Sequence, residues 1–143
     1  MTCGFPTLSQ SKKIFNEMLS HQPDVIEFGL PFSDPMADGP IIQEANKLAL
    51  STNLSTQQSL NLIKELSKSK NNTSFVIMCY LNTVRKFGVD KFIKSIKNIV
   101  DGIIIVDLPF EEESEIKKSL SKNNIYLIKL ISPMTEKKRA QKL

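Results

Sequence analysis

The chain has 143 residues, 41% hydrophobic and 24% charged, with a net charge of +4, values of an ordinary globular domain that exclude a disordered or fibrous class. Its lysines are scattered singly among Glu, Asn and Ser instead of forming a stripe interleaved with aromatics, which argues against a nucleic-acid surface. No apolar run approaches the roughly 18 residues of a membrane span, and Met1 to Thr7 has no basic-then-apolar leader pattern, so a cytoplasmic protein is expected.

Apolar periodicity read against breakers predicts alternating strands and helices. A strand stub, Met1 to Cys3, is closed by Gly4-Phe5-Pro6. A helix follows from about Ser9 to Ser20, with Ile14, Phe15, Met18 and Leu19 on its buried face and Thr7 or Ser9 as N-cap. The second strand is Val25 to Gly29. After a loop rich in Pro and Asp, Pro40 suits the first turn of a helix whose apolar face is Ile41, Ile42, Ala45, Leu48 and Ala49. Another helix runs from about Thr56 to Ser67. The third strand is Ser74 to Leu81, and a helix follows from about Asp90 to Ile99. The fourth strand, Ile103 to Asp107, is a β-branched run of the kind covered on both faces in parallel sheets. Glu111, Glu112 and Glu113 crowd the first turn of the next helix, where the helix dipole favours negative charge. The fifth strand is Ile125 to Ile131, and Pro133 and Thr135 open a last helix that runs to Leu143.

Strands separated by helices imply right-handed crossovers and a parallel sheet. Neither GxGxxG nor GxxxxGK[ST] occurs, which lowers a nucleotide-binding doubly wound fold. The polar residues that look chemical, Glu27, Asp34, Asp38, Tyr80, Asn82 and Asp107, lie on or just after the C-terminal halves of successive strands. That placement fits the (β/α)8 TIM barrel, whose chemistry gathers at one mouth. With about five βα units against the eight of a closed barrel, residues 1–143 read as a single, partial, open barrel domain. Cys3 and Cys79 have no ligand-spaced partner and are expected to be reduced core residues; no metal site is expected.

The informative stretch is Asp24-Val-Ile-Glu-Phe-Gly-Leu-Pro-Phe-Ser-Asp-Pro-Met-Ala-Asp-Gly-Pro40. Glu27 stands among Val25, Ile26, Phe28 and Leu30, where a carboxylate is expected to be held partly dry and so tuned to give and take protons near neutral pH. Asp38 on its own would suit the N-cap of the helix beginning at Pro40. The stretch resembles, almost letter for letter, the signature of the tryptophan synthase α subunit family. The resemblance continues through Tyr80-Leu-Asn82, Val106-Asp-Leu-Pro-Phe-Glu-Glu112 and Leu130-Ile-Ser-Pro133, and so covers essentially the whole chain.

The resemblance implies a carbon–carbon lyase of tryptophan biosynthesis that cleaves indole-3-glycerol phosphate to indole and glyceraldehyde 3-phosphate. It assigns Glu27 and Asp38 as the catalytic carboxylates, the first protonating the indole ring and the second accepting its N–H. Tyr80, Ile104, Val106 and Leu130 are then candidates for lining the indole slot, with barrel core or rim as the competing reading of each. The α reaction needs no cofactor. The family's α subunit works beside a β subunit that carries pyridoxal phosphate, in an α2β2 heterotetramer, and Pro31, Asp34, Asn82 and Asp107 are the positions expected to meet that partner or to close loops. Barrels of this type bind phosphate with loops after the seventh and eighth strands, so the isolated chain is expected to bind a phosphate substrate poorly, and its open strand edges to favour self-association. A free-standing indole-producing lyase and a non-catalytic module that binds the β subunit are the alternatives.

Overall fold

A computed structural model describes residues 1–142. Four parallel strands form one sheet in the order β1 (Val25–Gly29), β2 (Ser74–Cys79), β3 (Gly102–Ile105) and β4 (Tyr126–Ile128). The connections carry α2 (Pro40–Ser51) and α3 (Thr56–Leu66), then α4 (Leu81–Phe87) and α5 (Val89–Ile96), then α6 (Ser114–Ser121). Helix α1 (Leu8–Ser20) precedes β1, and a short α7 (Lys137–Ala140) follows β4. The predicted first strand is reduced to a parallel bridge of Thr2 with Gly29, in which Cys3 N–H donates to Gly29 O at 2.8 Å. No helix among the described residues is long and apolar enough to cross a membrane.

Local chemistry sets several boundaries. Thr7 caps α1 by accepting Gln10 N–H, and Ser55 and Gln58 form a reciprocal capping box on α3. Pro40, which lacks an N–H that the first turn could not use, occupies N1 of α2. Gly4, at φ +79°, holds a backbone conformation that L-residues avoid.

Strand residues alternate between two faces. Ile26, Phe28, Phe75, Ile77, Cys79, Ile103 and Ile105 point toward the helices. There they pack with Phe15, Leu60, Ile63, Leu66, Phe92, Ile96 and Leu120 in one continuous core. Phe28 is its centre, 4.6 Å from the Phe15 ring and 4.8 Å from the Phe75 ring. The opposite face, with Val25, Glu27, Val76, Met78, Ile104, Tyr126 and Ile128 in register, corresponds to the inner wall of a barrel. Val76 and Ile104, in the middle of this face, are buried, whereas Val25 and Tyr126 toward its margins are exposed.

Several expectations are corrected. On α2 the residues turned inward are Ala45, Asn46 and Ala49, whereas Ile41, Ile42 and Leu48 are exposed, so of the expected apolar face only the two alanines are buried. The third strand ends at Cys79, and α4, which was not expected, begins immediately after Tyr80. Glu111 and Glu112 lie in a 3-10 turn, with α6 starting only at Ser114. β4 is limited to three residues, so Leu130 lies beyond the ladder. Leu143, the expected end of the last helix, falls outside the described residues.

Candidate functional site

The C-terminal ends of the strands carry the polar loops. Glu27 lies on the inner face of β1, and Asp38 ends the turn that leads into α2. Both line one cavity of about 130 Å³, together with Thr2, Gly29, Leu30, Ile42, Asn46 and Met78. The expectation that Glu27 is partly dry does not hold here: its side chain is exposed. The reason is the strand period, which sends its apolar neighbours Ile26 and Phe28 to the helix side and leaves Glu27 on the opposite face.

Asp38 is held more closely. Its Oδ2 accepts the Tyr80 hydroxyl at 3.1 Å and the Asn46 side-chain amide at 3.4 Å. Tyr80 stands just past β2, only 2% exposed, and its Oη accepts Ala37 N–H at 3.0 Å. Phe32, from the same loop, stacks on the Tyr80 ring at 4.7 Å and 21°. The Tyr80 phenol is pushed above the usual tyrosine range, first by burial, then by its hydrogen bond to Asp38 and by the negative charges of Asp38 and Asp107, against the opposing pull of Ala37 N–H.

The other candidates fall in different places. Asp107 Oδ1 accepts Leu81 N–H at 2.6 Å and so ties the loop after β3 to the start of α4. Asp34 is exposed and accepts the Ser33 hydroxyl at 2.5 Å. Pro31 and Asn82 meet across a separate cavity of about 560 Å³, lined also by Phe32, Leu54, Thr83 and Lys86. Ile104 belongs to the inner face, one strand over from Met78, but neither it nor Val106 lines the cavity of Glu27 and Asp38. Leu130 is 64% exposed and lines neither cavity. Cys3 and Cys79 are buried free thiols on the far side of the sheet chemistry.

Sequence reasoning passed over Asn46. The signal was its spacing, next to Ala45 and three residues before Ala49, which puts an amide on the inward face of α2. Among the described residues, no group of three or more His, Cys, Asp or Glu could hold a metal ion. Chemically, the site offers one exposed carboxylate on a strand, one oriented carboxylate on a loop, and a small cleft between them with both polar and apolar lining.

Comparison with known proteins bears on this geometry. The family model described as tryptophan synthase alpha chain matches residues 1–143. The tryptophan synthase alpha chain of Clostridium acetobutylicum is 42% identical over 137 residues, which cover 95% of this chain and 52% of the relative. That of Lachnospira eligens is 43% identical over 138 residues, 94% of this chain and 52% of the relative. Among solved structures, the tryptophan synthase alpha chain from Legionella pneumophila superposes with a TM-score of 0.90 at 33% identity, covering 99% of this chain and 53% of that one. A tryptophan synthase complex from Pyrococcus furiosus superposes with a TM-score of 0.91 at 32% identity, covering 99% and 59%. The chain thus spans about half the length of the curated relatives it matches.

Proposed function

The chain belongs to the tryptophan synthase alpha chain family, and from that premise we propose that it carries the catalytic carboxylates of an indole-3-glycerol-phosphate lyase, within an incomplete TIM-barrel wall. The observation that carries the reading is the sharing of one cavity by Glu27 and Asp38.

In the proposed reaction, Asp38 accepts the indole N–H and stabilises the positive charge that grows on the ring. Glu27 gives its proton to C3, which turns the ring into an electron sink. A base then removes the proton of the glycerol hydroxyl next to the ring, and the bond between that carbon and C3 breaks. Its electron pair returns to the ring, restoring neutral indole with the new proton on C3, while the former alcohol carbon becomes the aldehyde of glyceraldehyde 3-phosphate. General acid–base steps of this kind contribute about 10² to 10⁴ each. No cofactor takes part in this α reaction; pyridoxal phosphate belongs to the β partner. An α2β2 assembly in the cytoplasm is proposed on family grounds, with Pro31 and Asn82, on their shared cleft, and the exposed Asp34 and Asp107 as the partner-facing positions.

The test is a fusion in which residues 1–143 replace the corresponding half of the Clostridium acetobutylicum relative. It is expected to release indole from indole-3-glycerol phosphate, and Glu27→Gln and Asp38→Asn are each expected to lower kcat by about 10² to 10⁴. An active fusion indifferent to both substitutions would overturn the assignment. The 143-residue chain alone, with Glu27 exposed and no glycine-rich phosphate loop, is expected to turn over far below the roughly 1 s⁻¹ at the low end of ordinary enzymes.

A further inference from the structure

Asn46 is a buried amide where packing alone calls for something smaller and apolar. It is 4% exposed on the face of α2 that otherwise presents Ala45 and Ala49. Burying an amide is unfavourable unless it finds hydrogen bonds, and the side chain of Asn46 finds one partner among the described residues, Asp38 Oδ2. The Tyr80 hydroxyl is equally constrained. Because Oη already accepts Ala37 N–H, its own proton is directed to Asp38 Oδ2. Two donors from separate elements, α2 and the end of β2, therefore converge on one oxygen, and Tyr80 also grips the backbone one residue before it. Among the described residues no donor reaches Asp38 Oδ1.

We propose that Asn46 and Tyr80 are positioning residues that jointly hold Asp38 Oδ2 and thereby reserve Oδ1 as the acceptor for the N–H of an indole ring entering the cavity shared with Glu27. This rests on the lyase reading for the identity of the ligand, but not for the clamp itself. A bond between a neutral donor and a carboxylate is stronger than one between neutral groups, so two of them fix the carboxylate plane where a single cap would leave it free to turn. An orienting clamp of this kind acts on discrimination between donors and non-donors more than on stability.

The chain has two tyrosines and no tryptophan, which makes both parts of the clamp readable. In a Tyr126→Phe background, Tyr80 is the only phenol. Asp38→Asn removes a like charge and exchanges one carboxylate oxygen for an amide donor, so the Tyr80 ionisation followed by phenolate absorbance is expected to move down in pH. The same substitution is expected to shift the side-chain amide NMR resonances of Asn46. If neither signal responds to Asp38→Asn, the clamp does not exist and the inference is overturned, whatever the ligand.

The second measurement compares the affinity of indole with that of 1-methylindole, which has no N–H, by ligand fluorescence free of any protein indole. The parent is expected to prefer indole, and Asn46→Ala, Asn46→Leu and Tyr80→Phe are each expected to reduce that preference about tenfold, the scale of a hydrogen bond to a charged group. Asn46→Leu retains bulk in case Asn46→Ala loosens α2. A preference abolished by Asp38→Asn but untouched by the other three would overturn the inference and leave the lyase reading intact. A preference absent from the parent, with the phenol and amide signals behaving as expected, would support the clamp and count against Asp38 as the indole acceptor.

Discussion

Cys3 and Cys79 are fully buried, and burial pushes both thiols up, Cys3 to about 12 and Cys79 further still. For Cys3 the N-terminal charge pulls slightly the other way, and for Cys79 the charge of Asp107 adds to the rise. The sign of the linkage follows. The folded state keeps its thiol protons to higher pH than the unfolded chain, whose thiols ionise near their ordinary value of 9.0. Above that point the unfolded state binds fewer protons, so stability falls as pH rises; below it the contribution is fully present. Between pH 9 and the folded value each thiol is expected to cost stability at up to about 1.4 kcal/mol per pH unit. Urea midpoints measured from pH 7 to 10.5 should therefore fall more steeply for the parent than for a Cys3→Ala, Cys79→Ala double variant. Equal slopes would show that the thiols are not buried in solution. The same reasoning governs how these cysteines react: with thiolate suppressed, both should resist alkylation at pH 8 until the chain unfolds.

At the scale of the elements, Glu113 joins the start of α6 to the end of β4. Its side chain is 5% exposed and meets Lys117 at 3.1 Å and, more closely, Lys129, whose own side chain is 17% exposed. Burial lowers the Lys129 amine, and Glu111 partly offsets that. Removing one partner of such a pair strands the other, so Glu113→Ala is expected to cost about 2 to 3 kcal/mol, below the loss for a fully buried pair because Lys129 retains some solvent. Adding Lys129→Met should recover much of it, and a double-mutant cycle by urea denaturation measures the coupling; strictly additive losses would dismiss the pair as a tie. Sequence periodicity finds the ends of β1 and the start of α2 to the residue, since Pro40 and a short strand closed by Gly29 are strong local signals. It misses α4, because Tyr80 and Leu81 continue the apolar run of β2 and nothing within Asn82 to Phe87 announces a new helix. That start is imposed from a distance, by Asp107 accepting Leu81 N–H. The site divides in the same way: Glu27 and Asp38 are legible as a motif, but the environment of Glu27 and the burial of Asn46 depend on which face each element turns to its neighbours.

Across the whole molecule, the sheet is strongly asymmetric. One face is sealed by helices around Phe15, Phe28 and Phe75, while the other leaves Val25 at 53%, Tyr126 at 77% and Ile128 at 36% exposure, with Leu130 beyond it at 64%. Val25, Tyr126 and Ile128 share the inner face by register, and Tyr126 and Ile128 also belong to β4, which pairs with β3 on one side only among the described residues. An apolar face meeting an unpaired strand edge is the combination that recruits other strands, because burial and ladder hydrogen bonds are gained together. For the 143-residue chain on its own, the nearest source of both is a second copy. Sedimentation velocity is therefore expected to show a mass that grows with concentration, and Ile128→Lys, which places a charge on the inner face at that edge, to shift the chain toward monomer. Ile128 also packs over Gly102, where a Cβ would approach its Cδ1 to 2.8 Å, so the matching control is Leu130→Lys, exposed but outside the ladder. If the parent stays a monomer at high concentration, the open face is not adhesive. If both lysines act alike, the association is general hydrophobic contact and not strand pairing at β4.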